Sequence, residues 1–99
     1  SAKRVGMMPD LPTVAESGLP GFEAGVWMGL FTAAATHVAV VQQIQRETAR
    51  ILQLADVRKS LTSQGGEIVG SSSDEFAAFL RAEVRKWSEM VKISGAKAE

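Results

Sequence analysis

The chain has 99 residues, 45% of them hydrophobic and 22% charged, with eleven basic and eleven acidic side chains that cancel. A chain of this size buries about two thirds of its unfolded surface, which allows one modest core and excludes a self-sufficient two-domain enzyme. The zero net charge argues against a nucleic-acid binder, which needs surplus Lys and Arg to displace phosphate counterions, and the absence of cysteine removes disulfides, thiolate metal sites and thiol catalysis.

No apolar run approaches the ~20 residues of a membrane span. The longest, Ala33 to Val41, is interrupted by Thr36 and His37. No charged leader with an apolar core and a small-residue cleavage site is present, but a processed exported protein would lack one too. The chain starts at Ser1 without an initiator Met and enters a charged, strand-like stretch at once. It is expected to be a piece of something longer.

All three prolines and five of the nine glycines lie in the first thirty residues, which read as extended chain and turns. Ala2 to Val5 is a candidate short strand. Met7 to Leu11 is a loop, because Pro9 and Pro12 disfavour helix at the residues before them. Thr13-Val14-Ala15-Glu16 matches a capping box, in which hydroxyl and carboxylate each serve the other residue's backbone N–H. Gly18 stops that single helical turn, and Leu19-Pro20-Gly21 turns the chain again. Gly25 to Ala33 is almost wholly apolar with both faces occupied, which predicts a strand buried on two sides beneath helices. Gly25 and Gly29 suit a place where another backbone, or a ligand, comes close.

From Thr36 the period becomes 3.6. Val40, Val41, Ile44, Thr48, Ile51, Leu52 and Ala55 share one face, which predicts an amphipathic helix of about 18 residues capped by Thr36. Asp56 is expected to cap a second, shorter helix through Val57 and Leu61, ended by Gly65-Gly66. Glu67 to Val69 is a strand of three residues at most. Ser72-x-x-Glu75 is a second capping box opening the clearest helix, with Phe76, Leu80, Val84, Trp87 and Val91 on its apolar face. Glu83–Lys86 and Glu89–Lys92 are spaced i,i+3, and Gly95 ends the helix. The layout is α/β: two or three short strands, a short N-terminal helix and three further helices. Strands joined through helices favour parallel pairing.

Chemistry-bearing constellations are scarce. His37 is the single histidine and has no partners at catalytic or metal spacing, so it reads as a surface residue of a first helical turn. Asp56 and Glu75 are explained by capping, and Glu67 and Asp74 flank turns and helix starts where negative charge is stabilised. Ser71-Ser72-Ser73 lacks a nucleophile-elbow setting. Gly65-Gly66 precedes a strand and is no phosphate loop. Phe76, Phe79 and Trp87 are core residues by spacing. No catalytic residue, metal ligand or cofactor is expected. Two places stay open. Trp27 either packs under a neighbouring helix or ends its strand at a cleft, with Gly29 letting a ligand approach. The Asp10–Gly18 loop is either a rigid crossover or a cleft-edge or hinge segment whose N–H groups could bind a carboxylate.

The stretch Pro9-Asp10-Leu11-Pro12-Thr13-Val14-Ala15-Glu16-Ser17-Gly18-Leu19-Pro20-Gly21-Phe22-Glu23 resembles a signature of the Bug family, the extracytoplasmic receptors of tripartite tricarboxylate transporters. Trp27-Met28-Gly29-Leu30-Phe31 resembles that family's Trp-x-Gly-hydrophobic strand. Asp56-Val57-Arg58, Gln64-Gly65-Gly66, Glu75-Phe76-Ala77-Ala78-Phe79, Glu83-x-x-x-Trp87 and Lys92-Ile93-Ser94-Gly95 follow in the same order. The resemblance covers essentially the whole chain. One departure is Thr36-His37, where the family usually has Thr-Pro; the cap is kept and the first-position proline is lost.

The resemblance implies the C-terminal third of a periplasmic receptor of type II periplasmic-binding-protein architecture, with two α/β lobes closing on a small carboxylate. Residues 1–35 would be the crossover segment with its Pro/Gly loop and buried strand. Residues 36–99 would be the helical C-terminal part of the first lobe, the two together one incomplete domain. It implies membrane subunits of the transporter as partners, an organic acid or amino acid as ligand, and no catalysis. Thr13, Glu16, Trp27 and Gly29 are the candidate ligand-binding or hinge residues. The alternative is a small helical interaction module whose apolar faces at 37–55 and 73–94 pair two copies.

Overall fold

The computed structural model describes residues 1–97 and places three α-helices among them: α1 (Val38–Leu52), α2 (Ala55–Ser63) and α3 (Ser73–Ser94). The three occupy the stretches where the apolar period is 3.6. α1 touches both of its neighbours, and the Gln45 amide donates to the Ser71 carbonyl at 3.3 Å, tying α1 to the entrance of α3. Val41, Thr48 and Leu52 of α1, Val57 and Leu61 of α2, and Phe76 and Leu80 of α3 are half-buried where the helices meet. The stripe on α1 is wider than its partners cover, so Val40, Ile44 and Ile51 stay exposed.

The caps follow the local chemistry, with two shifts. α3 opens with the expected box: Ser72 Oγ accepts from the Glu75 N–H at 3.2 Å, and Glu75 Oε1 accepts from the Ser72 N–H at 3.4 Å. It ends at Gly95, whose φ of 68° is left-handed and whose N–H bonds the Val91 carbonyl. α1, however, is capped by His37 rather than Thr36. The helix begins one residue later than expected, the imidazole Nδ1 accepts from the Ala39 N–H at 3.1 Å, and the Thr36 N–H is taken by the Ala33 carbonyl. α2 has Leu54 at its N-cap without a side-chain acceptor, and Asp56 lies inside the first turn, where its charge meets the positive end of the helix.

The α/β expectation is overturned. The described residues contain no strand: Ala2–Val5, Gly25–Ala33 and Glu67–Val69 are extended or irregular and never pair. A strand is a relation between two segments, since each N–H and C=O needs a partner across a ladder. Here those partners are missing, and backbone groups from Gly25 to Thr32 make no hydrogen bond at all among the described residues. Two-sided burial of that stretch is corrected as well. Trp27, Gly29 and Phe31 lie on its inner side toward α3, while Val26 and Met28 are 100% and 93% exposed. The expected N-terminal helix reduces to one α-turn, with the Ser17 N–H bonded to the Thr13 carbonyl at 3.0 Å.

No described residue is fully buried. The radius of gyration is 16.5 Å, against about 13 Å for a compact chain of this length. The accessible surface is 8337 Å², where a folded monomer of this mass exposes roughly 5,500 Å². Large apolar side chains are exposed both along the first 33 residues and on the helices.

Candidate functional site

The four candidate residues form two separate groups. Thr13 and Glu16 make the reciprocal box: the Glu16 N–H donates to Thr13 Oγ1 at 3.1 Å, and the Thr13 N–H donates to Glu16 Oε2 at 2.8 Å. The same carboxylate oxygen accepts from Arg4 Nε at 2.9 Å, and Arg4 Nη1 reaches the Pro9 carbonyl at 3.2 Å. One guanidinium thus closes the loop over its own prolines. The Arg4 hydrogen bond, followed by that of the Thr13 backbone, holds the Glu16 carboxyl below its ordinary value, against a smaller opposing effect of burial. Arg4 has no signal at sequence level, because its partner lies twelve residues on and no helical or strand period links them.

Trp27 and Gly29 sit on α3. The indole meets Phe76 and Phe79 edge-on, with ring centroids 5.6 and 5.3 Å apart and interplanar angles of 83° and 79°. This is the arrangement that sets a ring's positive edge on its neighbour's negative face. Phe31 leans on Phe76 at 5.3 Å. Gly29 is where the stretch crosses the Phe76 ring: a Cβ there would lie 2.9 Å from Cε2 and closer still to Cζ. Its lack of a side chain is therefore used for a close approach, and what approaches is Phe76.

A third group joins the N-terminal stretch to the helix. The Glu83 carboxylate accepts from Lys86 Nζ at 2.9 Å on one oxygen and from Trp87 Nε1 at 2.7 Å on the other. Lys86 Nζ also donates to the Glu23 carbonyl at 3.1 Å and lies 5.6 Å from the centre of the Trp87 ring. The Glu83 side chain is 13% exposed. Lys86 holds its carboxyl below the ordinary value, burial opposes this, and Trp87 and Trp27 add weaker contributions of the same sign as Lys86. The spacing Glu83–Lys86 and Glu83-x-x-x-Trp87 was visible in the sequence. The link to Glu23, 63 residues away, was not.

Shallow depressions along Met7–Leu11 and among Leu80, Arg81, Val84 and Arg85 contain none of the four candidates. No three His, Asp or Glu side chains among the described residues converge as metal ligands. The geometry offers a clamped loop, an aromatic seat for Trp27 and a polar brace beside it.

Comparison with known proteins completes the description. Residues 1–96 match the profile of the tripartite tricarboxylate transporter family receptor. The UPF0065 protein of the tcbD–tcbE intergenic region in Pseudomonas sp. is 30% identical over 92 residues, which are 92% of this chain and 27% of that protein. Protein BugT of Bordetella pertussis is 29% identical over 97 residues, 98% of this chain and 30% of that protein. The chain therefore spans less than a third of the length of these relatives. No solved structure matches it. With the profile matched over almost every residue, from the clamped loop through α3, the chain belongs to the tripartite tricarboxylate transporter receptor family.

Proposed function

We propose that the chain serves as part of an extracytoplasmic receptor that captures a small carboxylate and delivers it to the membrane subunits of a tripartite transporter, without catalysis. The observation that carries this reading is the receptor-family match over residues 1–96. Its site of action is the periplasm; no described helix is long and apolar enough to cross a membrane. The excess of exposed apolar surface supports residues 1–35 and 36–99 as portions of one incomplete domain, completed by further polypeptide. In this reading closure of two lobes buries the solute, whose carboxylate is met by backbone N–H groups, hydroxyls and ordered waters. The Thr13–Glu16 loop, stiffened by Arg4, acts as a hinge or cleft edge, and Trp27 with Gly29 forms a separate wall.

The test is thermal-shift titration of the full-length gene product with organic acids and amino acids. Ligand that binds the native state alone raises the transition with concentration. Stabilisation by a dicarboxylate, tricarboxylate or amino acid supports the receptor, and its absence across such a panel discards it. A second reading is homodimerisation of the chain, favoured by the bare apolar row of Val26, Met28 and Leu30. Light scattering at rising concentration decides it, since a persistent monomer ends that account.

A further inference from the structure

We propose that Glu83 is a positioning residue for Trp27: with Lys86 and Trp87 it fixes where the stretch from Glu23 to Trp27 meets α3, and hence the pose of the indole. Apolar contact alone does not set that pose. The rings of Phe76 and Phe79 hold Trp27 by burial and edge-on packing, and burial is non-directional. Among the described residues, the backbone from Gly25 to Thr32 makes no hydrogen bond that could set a register. The one hydrogen bond that crosses from α3 to this stretch, among the described residues, is Lys86 Nζ to the Glu23 carbonyl, four residues before Trp27.

A lysine ammonium on four rotatable bonds is a poor anchor by itself. Glu83 corrects this. It takes a second Lys86 donor at 2.9 Å while its other oxygen is fixed by the Trp87 indole at 2.7 Å. The carboxylate is thus held at two points, the ammonium is held by the carboxylate, and the chain is held by the ammonium. Charge-assisted hydrogen bonds of this kind are directional and stronger than neutral ones. Trp27 also contributes weakly to holding the Glu83 carboxyl below its ordinary value. The positioning role stands on this geometry. Its consequence for solute binding rests on the receptor reading above.

The experiment uses the full-length gene product labelled with 5-fluorotryptophan, with Trp27→Phe and Trp87→Phe identifying the fluorine resonances of those two residues. Lys86→Met is expected to shift and broaden the Trp27 resonance, Glu83→Gln to do the same, and Lys86→Arg to restore it. Solute affinity should fall in the first two variants by about tenfold, the loss of one charge-assisted hydrogen bond, and recover in Lys86→Arg. An unmoved Trp27 resonance in Lys86→Met overturns the proposal, and so does a Lys86→Arg protein that behaves like Lys86→Met. Lys86→Met carries the test alone where Glu83→Gln does not fold. A Trp27 resonance that moves as expected in a protein binding no carboxylate supports the positioning role and refutes the receptor reading, so the two failures are distinct.

Discussion

Replacing Gly29 with alanine probes the most crowded of the described glycine positions. The new Cβ would lie 2.9 and 3.2 Å from Cε2 and Cε1 of Phe76 and nearer to Cζ, where ordinary contact begins at 3.4 Å. Two escapes exist. The Phe76 ring can withdraw by about an ångström, an overpacking adjustment of roughly 1–3 kcal/mol. Alternatively the stretch can lift from α3, forfeiting the contacts of Trp27 with Phe76 and Phe79 and of Phe31 with Phe76. At about 0.5–1.5 kcal/mol each, those three cost roughly 1.5–4.5 kcal/mol, so the ring gives way first. Loss of glycine's freedom in the unfolded chain returns about 0.4–1 kcal/mol. The net expectation is destabilisation by about 1–2 kcal/mol. Gly25 is the control: nothing lies within 4 Å of its added Cβ, so Gly25→Ala should be neutral or stabilising by up to about 1 kcal/mol. Urea unfolding of the full-length gene product reads both. Adding Phe76→Leu removes the obstructing atoms and should erase most of the penalty at position 29. Equal stabilities for the two glycine variants, or a penalty unchanged by Phe76→Leu, would refute the packing argument.

Three further outcomes are expected. Ser72→Ala removes the α3 cap and should cost about 1 kcal/mol in the same unfolding assay, with hydrogen exchange accelerated first in the turn after Ser72. Gly95→Ala meets open space, so its whole cost of roughly 1–2 kcal/mol is the left-handed backbone, and a negligible change would mean that α3 frays before Gly95. The carboxyls of Glu16 and Glu83 both lie below their ordinary value when folded. Their stabilising effect is therefore complete above the unfolded carboxylate value near 4.3 and is lost as pH falls through the lowered folded one. Proteolysis of the loop from Arg4 to Ser17 should rise at acidic pH and lose that dependence in Glu16→Gln; side-chain carbon NMR showing a Glu16 titration at or above the ordinary value would contradict the Arg4 clamp.

The helices were legible in the sequence because their information is local. A period of 3.6 from Val40 to Ala55, the Ser72–Glu75 spacing and a terminal Gly95 each act within one or two turns, and the box at Thr13 and Glu16 works the same way. Strand assignment failed for the opposite reason. The run from Gly25 to Ala33 shows what its side chains could tolerate, but pairing depends on another segment lying alongside, and none of the described residues pairs with it. The capping shifts from Thr36 to His37 and from Asp56 to Leu54 are displacements of one and two residues that composition does not resolve. Arg4–Glu16 and Lys86–Glu23 bridge 12 and 63 residues, so no spacing rule reaches them. They become visible once the turn and helix have brought them together.

Between Glu23 and Arg46 the chain carries no formally charged side chain, and the hydrogen-bond-free stretch lies inside that interval. A β-prone, uncharged segment with open backbone groups is a template for edge-to-edge aggregation. The glycines at 25 and 29 are its internal breakers, and Phe76 holds one of its sides, leaving the Met28 side as the place where a gatekeeper charge is missing. A cell making this polypeptide must therefore cover the Met28 side quickly, by folding onto it or by chaperoning it, because self-association is the competing fate.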